Sequence, residues 1–235
     1  MTNPGSDMPK KNWLELVTNV VVLLAALALV TKLVASEWPR SKPRAAVPIP
    51  VEPIDISSGP MMGSPDSKVA ILVYSDFECP FCSTFVKQTF PKLRDAYLNG
   101  KSVRFVFRHF PLIQIHRFAQ KAAEAADCAG AQGKFWQMHD LLFADQLRLS
   151  VDSLDRHAAE LGLDNPAFQS CMNGPAEKRV TADRLAGEAL HLSGTPSFLI
   201  GRVLDDGRLK VSSVIFGAQT LDSFRAVVDP LLAVK

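Results

Sequence analysis

Residues 75–82 read Ser75-Asp76-Phe77-Glu78-Cys79-Pro80-Phe81-Cys82 and set a Cys-x-x-Cys motif between two different sequence patterns. The run before it, Val69–Tyr74, is short, apolar and β-branched, which predicts a buried strand. The run after it, Ser83–Leu98, predicts a helix, and Pro80 fits the first turn because no backbone N–H is needed there. A strand, a cysteine pair and a helix in this order predict an α/β fold.

Two cysteines at the start of a helix are typical of thiol–disulfide redox chemistry. The nucleophile is the thiolate, and the unpaired N–H groups of a helix N-terminus favour that anion. Cys79 is therefore the predicted nucleophile, and Cys82, one turn along, is predicted to resolve the mixed disulfide. A zinc half-site and an inert structural disulfide are the alternatives. The other two cysteines, Cys128 and Cys171, lie too far apart in sequence to complete a zinc knuckle.

The composition indicates one folded domain with an appendage. The chain has 235 residues, of which 47% are hydrophobic, and this is enough for a full core. Its 26 basic and 24 acidic residues give a formal net charge of +2. Such a balanced charge does not favour nucleic-acid binding.

An apolar run over Leu14–Val34 predicts a transmembrane anchor. About 20 helical residues span the roughly 30 Å hydrocarbon core, and Trp13 and Trp38 flank the run where interfacial aromatic residues belong. Lys10 and Lys11 favour a cytoplasmic tail over residues 1–13, although basic residues also follow the run. A cleaved signal peptide is the main alternative, but the run exceeds the usual 7 to 15 apolar residues of such a peptide.

Residues 35–66 predict a proline-rich linker that holds the domain away from the membrane. The alternative is that Ile54–Met62 pack against the domain. The prolines that interrupt regular structure here are Pro39, Pro43, Pro48, Pro50, Pro53, Pro60 and Pro65.

The domain itself is predicted over residues 67–235. Val103–Phe110 reads as a second strand that completes a βαβ unit with parallel strands. Residues from about 112 to 192 contain no convincing strand and predict an all-helical insertion. A hairpin over Phe198–Val203 and Leu209–Phe216 and a final helix over Leu221–Leu232 follow.

Three motifs together resemble the DsbA-like thiol:disulfide oxidoreductases of the thioredoxin superfamily. They are Cys79-Pro80-Phe81-Cys82, Gly133-Lys134-Phe135-Trp136 and Gly194-Thr195-Pro196. The resemblance covers roughly residues 67–235 and implies a thioredoxin fold with an all-helical insertion, here preceded by one transmembrane helix and a proline-rich linker. It also implies a cis Thr195–Pro196 bond beside the cysteines, where the Thr195 backbone would pair with an extended substrate.

Two positions depart from that family pattern. Strongly oxidising members carry histidine where this chain has Phe81, so Pro80 and Phe81 are the expected modulators of the site. Many relatives carry an acid where this chain has Val73. Asp76 and Glu78 are nearby, and either carboxylate would raise the pKa of the Cys79 thiol if it lay close to it.

The two remaining cysteines are expected to form a structural disulfide. Four cysteines, two of them in the motif, leave Cys128 and Cys171 to pair in a compartment that forms disulfides. Two buried free thiols are the alternative. Among the histidines, His116 is of interest because related sequences often carry a histidine just after the second strand, although a surface or capping role is the alternative.

These features predict an enzyme that exchanges the Cys79–Cys82 disulfide with thiols of exported proteins. The expected direction is oxidation, at a bacterial inner membrane with the domain facing the periplasm or exterior. The resemblance implies a quinone-linked membrane oxidase as partner, and we expect no cofactor and no metal. The alternatives are a reductase or isomerase of the same fold, a non-catalytic peptide-binding adaptor and a Cu(I) metallochaperone.

Overall fold

The computed structural model describes residues 11–37, 48–100 and 102–233, which fall into two units divided between residues 46 and 47. Three sequence-based predictions lie outside the described residues, in whole or in part. They concern the tail before residue 11, the interfacial Trp38, and the linker over residues 38–47.

The first unit contains one helix, α1 (Lys11–Glu37). Its segment Trp13–Lys32 has a mean hydropathy of 2.3, is long enough to cross a membrane, and has exposed side chains. Two threonines interrupt this apolar segment. The Thr18 hydroxyl donates to the Leu14 carbonyl at 2.8 Å and the Thr31 hydroxyl to the Ala28 carbonyl at 3.0 Å, so both are satisfied within the helix. The helix is compatible with a single-pass anchor.

The second unit is built on a mixed sheet of five strands among the described residues. Strands β2 and β3 are parallel, and the other neighbouring pairs are antiparallel. The spatial order is β1-β3-β2-β4-β5, so β2, which leads into the cysteine motif, is central. The strands are β1 (Met61–Met62), β2 (Val69–Ser75), β3 (Val103–His109), β4 (Ser197–Val203) and β5 (Leu209–Phe216).

Helices cover the sheet, and five of them form the insertion between β3 and β4. Every residue of β2 is buried, as expected for a central strand covered on both faces. These five helices lie between Ala119 and Ala189, within the stretch for which the sequence predicts an all-helical insertion. The helices of this unit are α2 (Pro80–Gln88), α3 (Phe90–Leu93), α4 (Ala119–Ala131), α5 (Phe135–Ala144), α6 (Val151–Glu160), α7 (Asn165–Met172), α8 (Pro175–Ala189) and α9 (Leu221–Ala233).

The single helix predicted over Ser83–Leu98 is divided into α2, α3 and a π-helical turn at Arg94–Leu98. The division between the first two falls at Thr89, two residues before Pro91. A proline cannot donate the helical hydrogen bond to the residue four positions earlier, so the chain bends there. The Thr89 hydroxyl donates to the Gln219 carbonyl at 2.8 Å and ties the bend to the chain before α9.

The structure differs from the linker predicted over residues 35–66 in its last part, where residues 54–62 pack on the folded unit. Ile54 exchanges two backbone hydrogen bonds with Leu209, at 2.9 and 2.7 Å. β1 pairs antiparallel with β3 and covers an edge that would otherwise expose unpaired backbone groups. Proline content alone therefore predicted too long a linker, and the alternative weighed for Ile54–Met62 describes this segment.

A buried histidine lies at the end of β3, on the face that packs under the cysteine motif. His109 is 2% exposed and contacts the rings of Phe77, Phe107 and Phe135. Among the described residues, neither of its ring nitrogens has a hydrogen-bond partner. Burial, with smaller contributions from nearby positive groups, lowers the pKa of His109 from 6.5 to about 3, so this histidine is neutral in the folded protein.

Candidate active site

The turn between β2 and α2 places Cys79 at the helix N-terminus. Cys79 has extended backbone angles, φ −73° and ψ 123°, and Pro80 occupies the first turn of α2. The Cys79 N–H donates to the Asp76 carbonyl, and the Cys79 carbonyl accepts from the Ser83 N–H, both within 3.2 Å. The free N–H groups of the first helical turn therefore lie next to the Cys79 side chain.

The Thr195–Pro196 segment lies against the same sulfur. The peptide bond between these residues is cis, and Cys79 Sγ lies 3.4 Å from the Thr195 carbonyl oxygen. Cys79 is only 3% exposed, whereas the neighbouring Phe81 is 62% exposed. The structure thus brings together four of the residues expected at the site: Cys79 just before α2, Cys82 within it, and the Thr195–Pro196 pair before β4.

The two thiols of the motif have opposite acidities. A hydrogen bond from the Cys82 thiol, followed by the Thr195 hydroxyl and the N–H groups of Cys82 and Phe81, lowers the pKa of Cys79 to about 6 against the opposing effect of burial. The buried Thr195 hydroxyl has no partner elsewhere in the described chain, which leaves it free to donate to a thiolate. Burial raises the pKa of the fully buried Cys82 well above 9. Cys79 is therefore suited to attack or leave as a thiolate, and Cys82 to remain protonated until exchange begins.

The two acids of the turn have partners in the loop after β3. The buried Asp76 carboxylate accepts from the Glu78 N–H at 2.7 Å and the Leu112 N–H at 2.8 Å, and it contacts His116 Nδ1 at 2.8 Å. Glu78 accepts from the Phe118 N–H at 2.7 Å. Both acids anchor the turn, and His116 belongs to that anchor.

A glutamine of the helical insertion reaches the motif from another side. Gln146, in the loop between α5 and α6, donates from Nε2 to the Phe77 carbonyl at 2.7 Å and to the Cys79 carbonyl at 3.0 Å. Sequence analysis did not identify this residue, because a lone glutamine 67 positions from the motif carries no local signal.

Val73 and the second cysteine pair are the remaining positions that the sequence analysis singled out. Val73 is 2% exposed within β2, at the position where the resemblance implies an acid in many relatives. Cys128 of α4 and Cys171 of α7 are joined by a disulfide, whereas Cys79 and Cys82 are free thiols in this structure. The disulfide therefore links two helices of the insertion, outside the motif.

A comparison with protein families matches residues 56–226 to a family described as "Thioredoxin". This match covers most of the chain and all the site residues described above. The chain belongs to the thioredoxin family.

Within this family, the fold is that of the DsbA-type thiol:disulfide oxidoreductases. The crystal structure of Wolbachia pipientis alpha-DsbA1 is 26% identical to this chain, with a TM-score of 0.66, over 76% of this chain and 93% of that one. A thioredoxin-like oxidoreductase from Silicibacter pomeroyi is also 26% identical, with a TM-score of 0.60, over 73% of this chain and 90% of that one. The predicted resemblance to DsbA-like oxidoreductases, the predicted fold and the predicted enzyme class are thus confirmed.

Curated relatives of this thioredoxin-family chain are much longer proteins. The Salinispora tropica protein named Na(+)/H(+) antiporter NhaA 3 is 39% identical over 149 residues, which are 63% of this chain and 22% of that protein. The Herminiimonas arsenicoxydans protein named Na(+)/H(+) antiporter NhaA is 30% identical over 83% of this chain and 30% of that protein. The chain therefore spans about a quarter of the length of these relatives.

The acidity of Cys79 gives a direct prediction for this thioredoxin-family site. In the reduced protein, the rate of Cys79 alkylation by iodoacetamide should rise with a midpoint near pH 6, because the thiolate is the reactive form. Thiolate absorbance at 240 nm should rise over the same pH range and lose this transition in Cys79→Ser. A midpoint above pH 8 would contradict the proposed stabilisation by Cys82, Thr195 and the helix N–H groups.

Proposed function

We propose that this protein is a disulfide-forming oxidase that acts on thiols of exported proteins. The observation that carries the proposal is the pairing of an acidic Cys79 thiol, held against Thr195, with a buried Cys82 of high pKa. A thiol of low pKa is a good leaving group in thiol–disulfide exchange, and this favours donation of the disulfide.

Oxidation of a substrate would proceed in two displacements. A substrate thiolate attacks Cys79 Sγ of the oxidised motif, the Cys79–Cys82 bond breaks, and Cys82 leaves and takes up a proton. A second substrate thiolate then attacks the substrate sulfur of the mixed disulfide, and Cys79 leaves as a thiolate. The substrate gains one disulfide, and the enzyme gains two electrons in the form of its reduced cysteine pair.

The substrate would bind along the Thr195–Pro196 segment. The Thr195 carbonyl lies 3.4 Å from Cys79 Sγ, so an extended peptide beside this segment would bring its own cysteine to the reacting sulfur. Phe81, which is 62% exposed, adds an apolar surface next to Cys79. A surface of backbone and apolar groups suits unfolded chains of varied sequence.

We propose that α1 anchors the enzyme in a bacterial inner membrane, with the domain facing the periplasm or exterior. Two observations support this location. Segment Trp13–Lys32 is long and apolar enough to span a bilayer. The curated relatives are named as Na(+)/H(+) antiporters, and they carry the matching region within longer chains. A quinone-linked membrane oxidase would return the Cys79–Cys82 pair to the disulfide state.

The redox state of the motif in growing cells tests the direction of exchange. Cells that express the full chain are quenched with acid, and free thiols are labelled with a maleimide of high mass. An oxidase should be recovered mainly with its Cys79–Cys82 disulfide intact, and Cys79→Ser/Cys82→Ser provides the unlabelled reference for the motif. Recovery of a mainly reduced motif would overturn the oxidase assignment in favour of a reductase or isomerase.

A further inference from the structure

We propose that Gln146 is a positioning residue, through which the helical insertion holds the Cys79 turn in the shape required for a reactive thiolate. This inference rests on the proposed exchange function. It assigns Gln146 no contact with substrate, because its side chain reaches the turn through two backbone carbonyls.

The loop that carries Gln146 is itself held in place. Next to Gln146, the Asp145 carboxylate forms an ion pair with Arg148, and the Asp145 backbone carbonyl accepts from the Arg148 N–H at 3.0 Å. Leu149 is 1% exposed and anchors the end of the loop in the core. The Gln146 amide is thus presented from a fixed loop, and its two hydrogen bonds constrain the turn more than a mobile side chain would.

The two carbonyls that Gln146 binds lie on both sides of the bend into α2. Its bond to the Phe77 carbonyl fixes the chain before Glu78, and its bond to the Cys79 carbonyl fixes the N-terminal residue of the helix. The Cys79 carbonyl oxygen also accepts from the Ser83 N–H at 3.1 Å. The Gln146 amide therefore donates to the second lone pair of this oxygen. The donated N–H groups offset the negative ends of these carbonyl dipoles close to the sulfur.

The ionisable groups around the turn bind other partners, so the neutral Gln146 amide is the side chain that holds the Phe77 and Cys79 carbonyls. From the loop after β3, His116 contacts Asp76, and the Phe118 N–H binds Glu78, so both acids have other partners. Cys82 of α2 faces Cys79 as a thiol of high pKa. Without the amide, the helix N–H groups should be less well oriented towards Cys79 Sγ. They should then stabilise the thiolate less, and the pKa of the Cys79 thiol should rise.

Two substitutions test this role in the reduced 235-residue chain. Gln146→Met keeps the side-chain length but cannot donate, and Gln146→Glu places an acceptor-only carboxylate against two carbonyl oxygens. The matched control is Gln132→Met, because Gln132 binds Asp164 through two comparable backbone contacts, at 3.2 and 2.8 Å, in the same insertion. Thiolate absorbance against pH and the melting temperature are measured for each variant.

The midpoint of thiolate formation should rise by about one pH unit in Gln146→Met and by more in Gln146→Glu. A rise of one unit from about 6 lowers the thiolate fraction at pH 6 roughly fivefold, and the alkylation rate of Cys79 should fall with it. Gln132→Met should keep the wild-type midpoint whatever its melting temperature. A lower melting temperature with an unchanged midpoint in both Gln146 variants would overturn the inference and leave Gln146 a structural contact.

The same samples separate this inference from the proposed function. If the wild-type motif exchanges with a reduced, unfolded protein while the Gln146 variants show the wild-type midpoint, only the positioning role fails. If the wild-type motif exchanges with no protein thiol, the proposed function fails. A role of Gln146 in exchange then fails as well.

Discussion

Replacement of Cys79 with serine is expected to abolish thiol–disulfide exchange with protein substrates. The serine hydroxyl cannot form a disulfide, and Cys82, which is fully buried and whose pKa burial raises well above 9, cannot replace Cys79 as the reacting sulfur. The measurement is the rate of disulfide formation in a reduced, unfolded secreted protein by the oxidised enzyme. The catalysed rate should fall to the uncatalysed background, and normal turnover in this variant would defeat the assignment.

Two matched variants show that this loss is specific. Cys82→Ser keeps the attacking sulfur but lacks the thiol that resolves the mixed disulfide, so it should accumulate a covalent complex with substrate that a reductant releases. Cys128→Ser/Cys171→Ser removes the disulfide between α4 and α7 but leaves the motif intact, and it should retain exchange at temperatures where it is folded. Loss of exchange in the folded double variant would assign a redox role to the second pair.

Replacement of His109 with phenylalanine is expected to make the folded domain much less sensitive to acid. The pKa of His109 is lowered from 6.5 in the unfolded chain to about 3 in the folded protein. Its neutral form therefore contributes stability that is fully present above pH 6.5 and is lost as the pH falls towards 3. At 1.36 kcal/mol for each pKa unit, this loss amounts to roughly 4 to 5 kcal/mol in the free energy of unfolding.

The measurement is the free energy of unfolding in urea at several pH values between 7 and 3.5. Phenylalanine can pack among Phe77, Phe107 and Phe135 and has no proton to take up. The number of protons taken up on unfolding, which sets the slope of the free energy of unfolding against pH, should therefore fall by about one in His109→Phe. His191→Asn is the control, because His191 is exposed at a positive φ of 57° that asparagine tolerates. Equal acid dependence in wild type and His109→Phe would contradict a buried neutral His109.

The parts of the fold that sequence predicts well are those with a strong local pattern. The apolar run before Cys79, the Val-rich and Phe-rich run before Phe110, and the alternating helical segments of the insertion each bury a continuous face. The break at Thr89 was missed although Pro91 gave a local signal, because the apolar spacing continues across it. Local pattern thus determined the order of elements better than their exact ends.

The parts that sequence does not predict depend on contacts between distant segments. Gln146 meets Cys79 only because α5 returns beside α2, and 67 residues separate the two in the chain. His116 could be noted from the resemblance, but its partner Asp76 lies 40 residues earlier and could be identified only from the fold. The packing of Ile54 against Leu209 is of the same kind. A local sequence pattern does not predict which distant backbone group a polar side chain will contact.

The equilibrium of the 235-residue chain with glutathione redox buffers tests the central claim, that Cys79 and Cys82 form a redox-active pair. The fraction of oxidised motif is measured by acid quenching and mass spectrometry after alkylation, with Cys128 and Cys171 followed as an internal reference. Cys79 and Cys82 should titrate together as one two-electron couple between about −120 mV, the value of a strong oxidant, and about −270 mV, the value of thioredoxin. A potential below about −300 mV, as in structural disulfides, or no disulfide between these cysteines at any buffer composition, would contradict the claim.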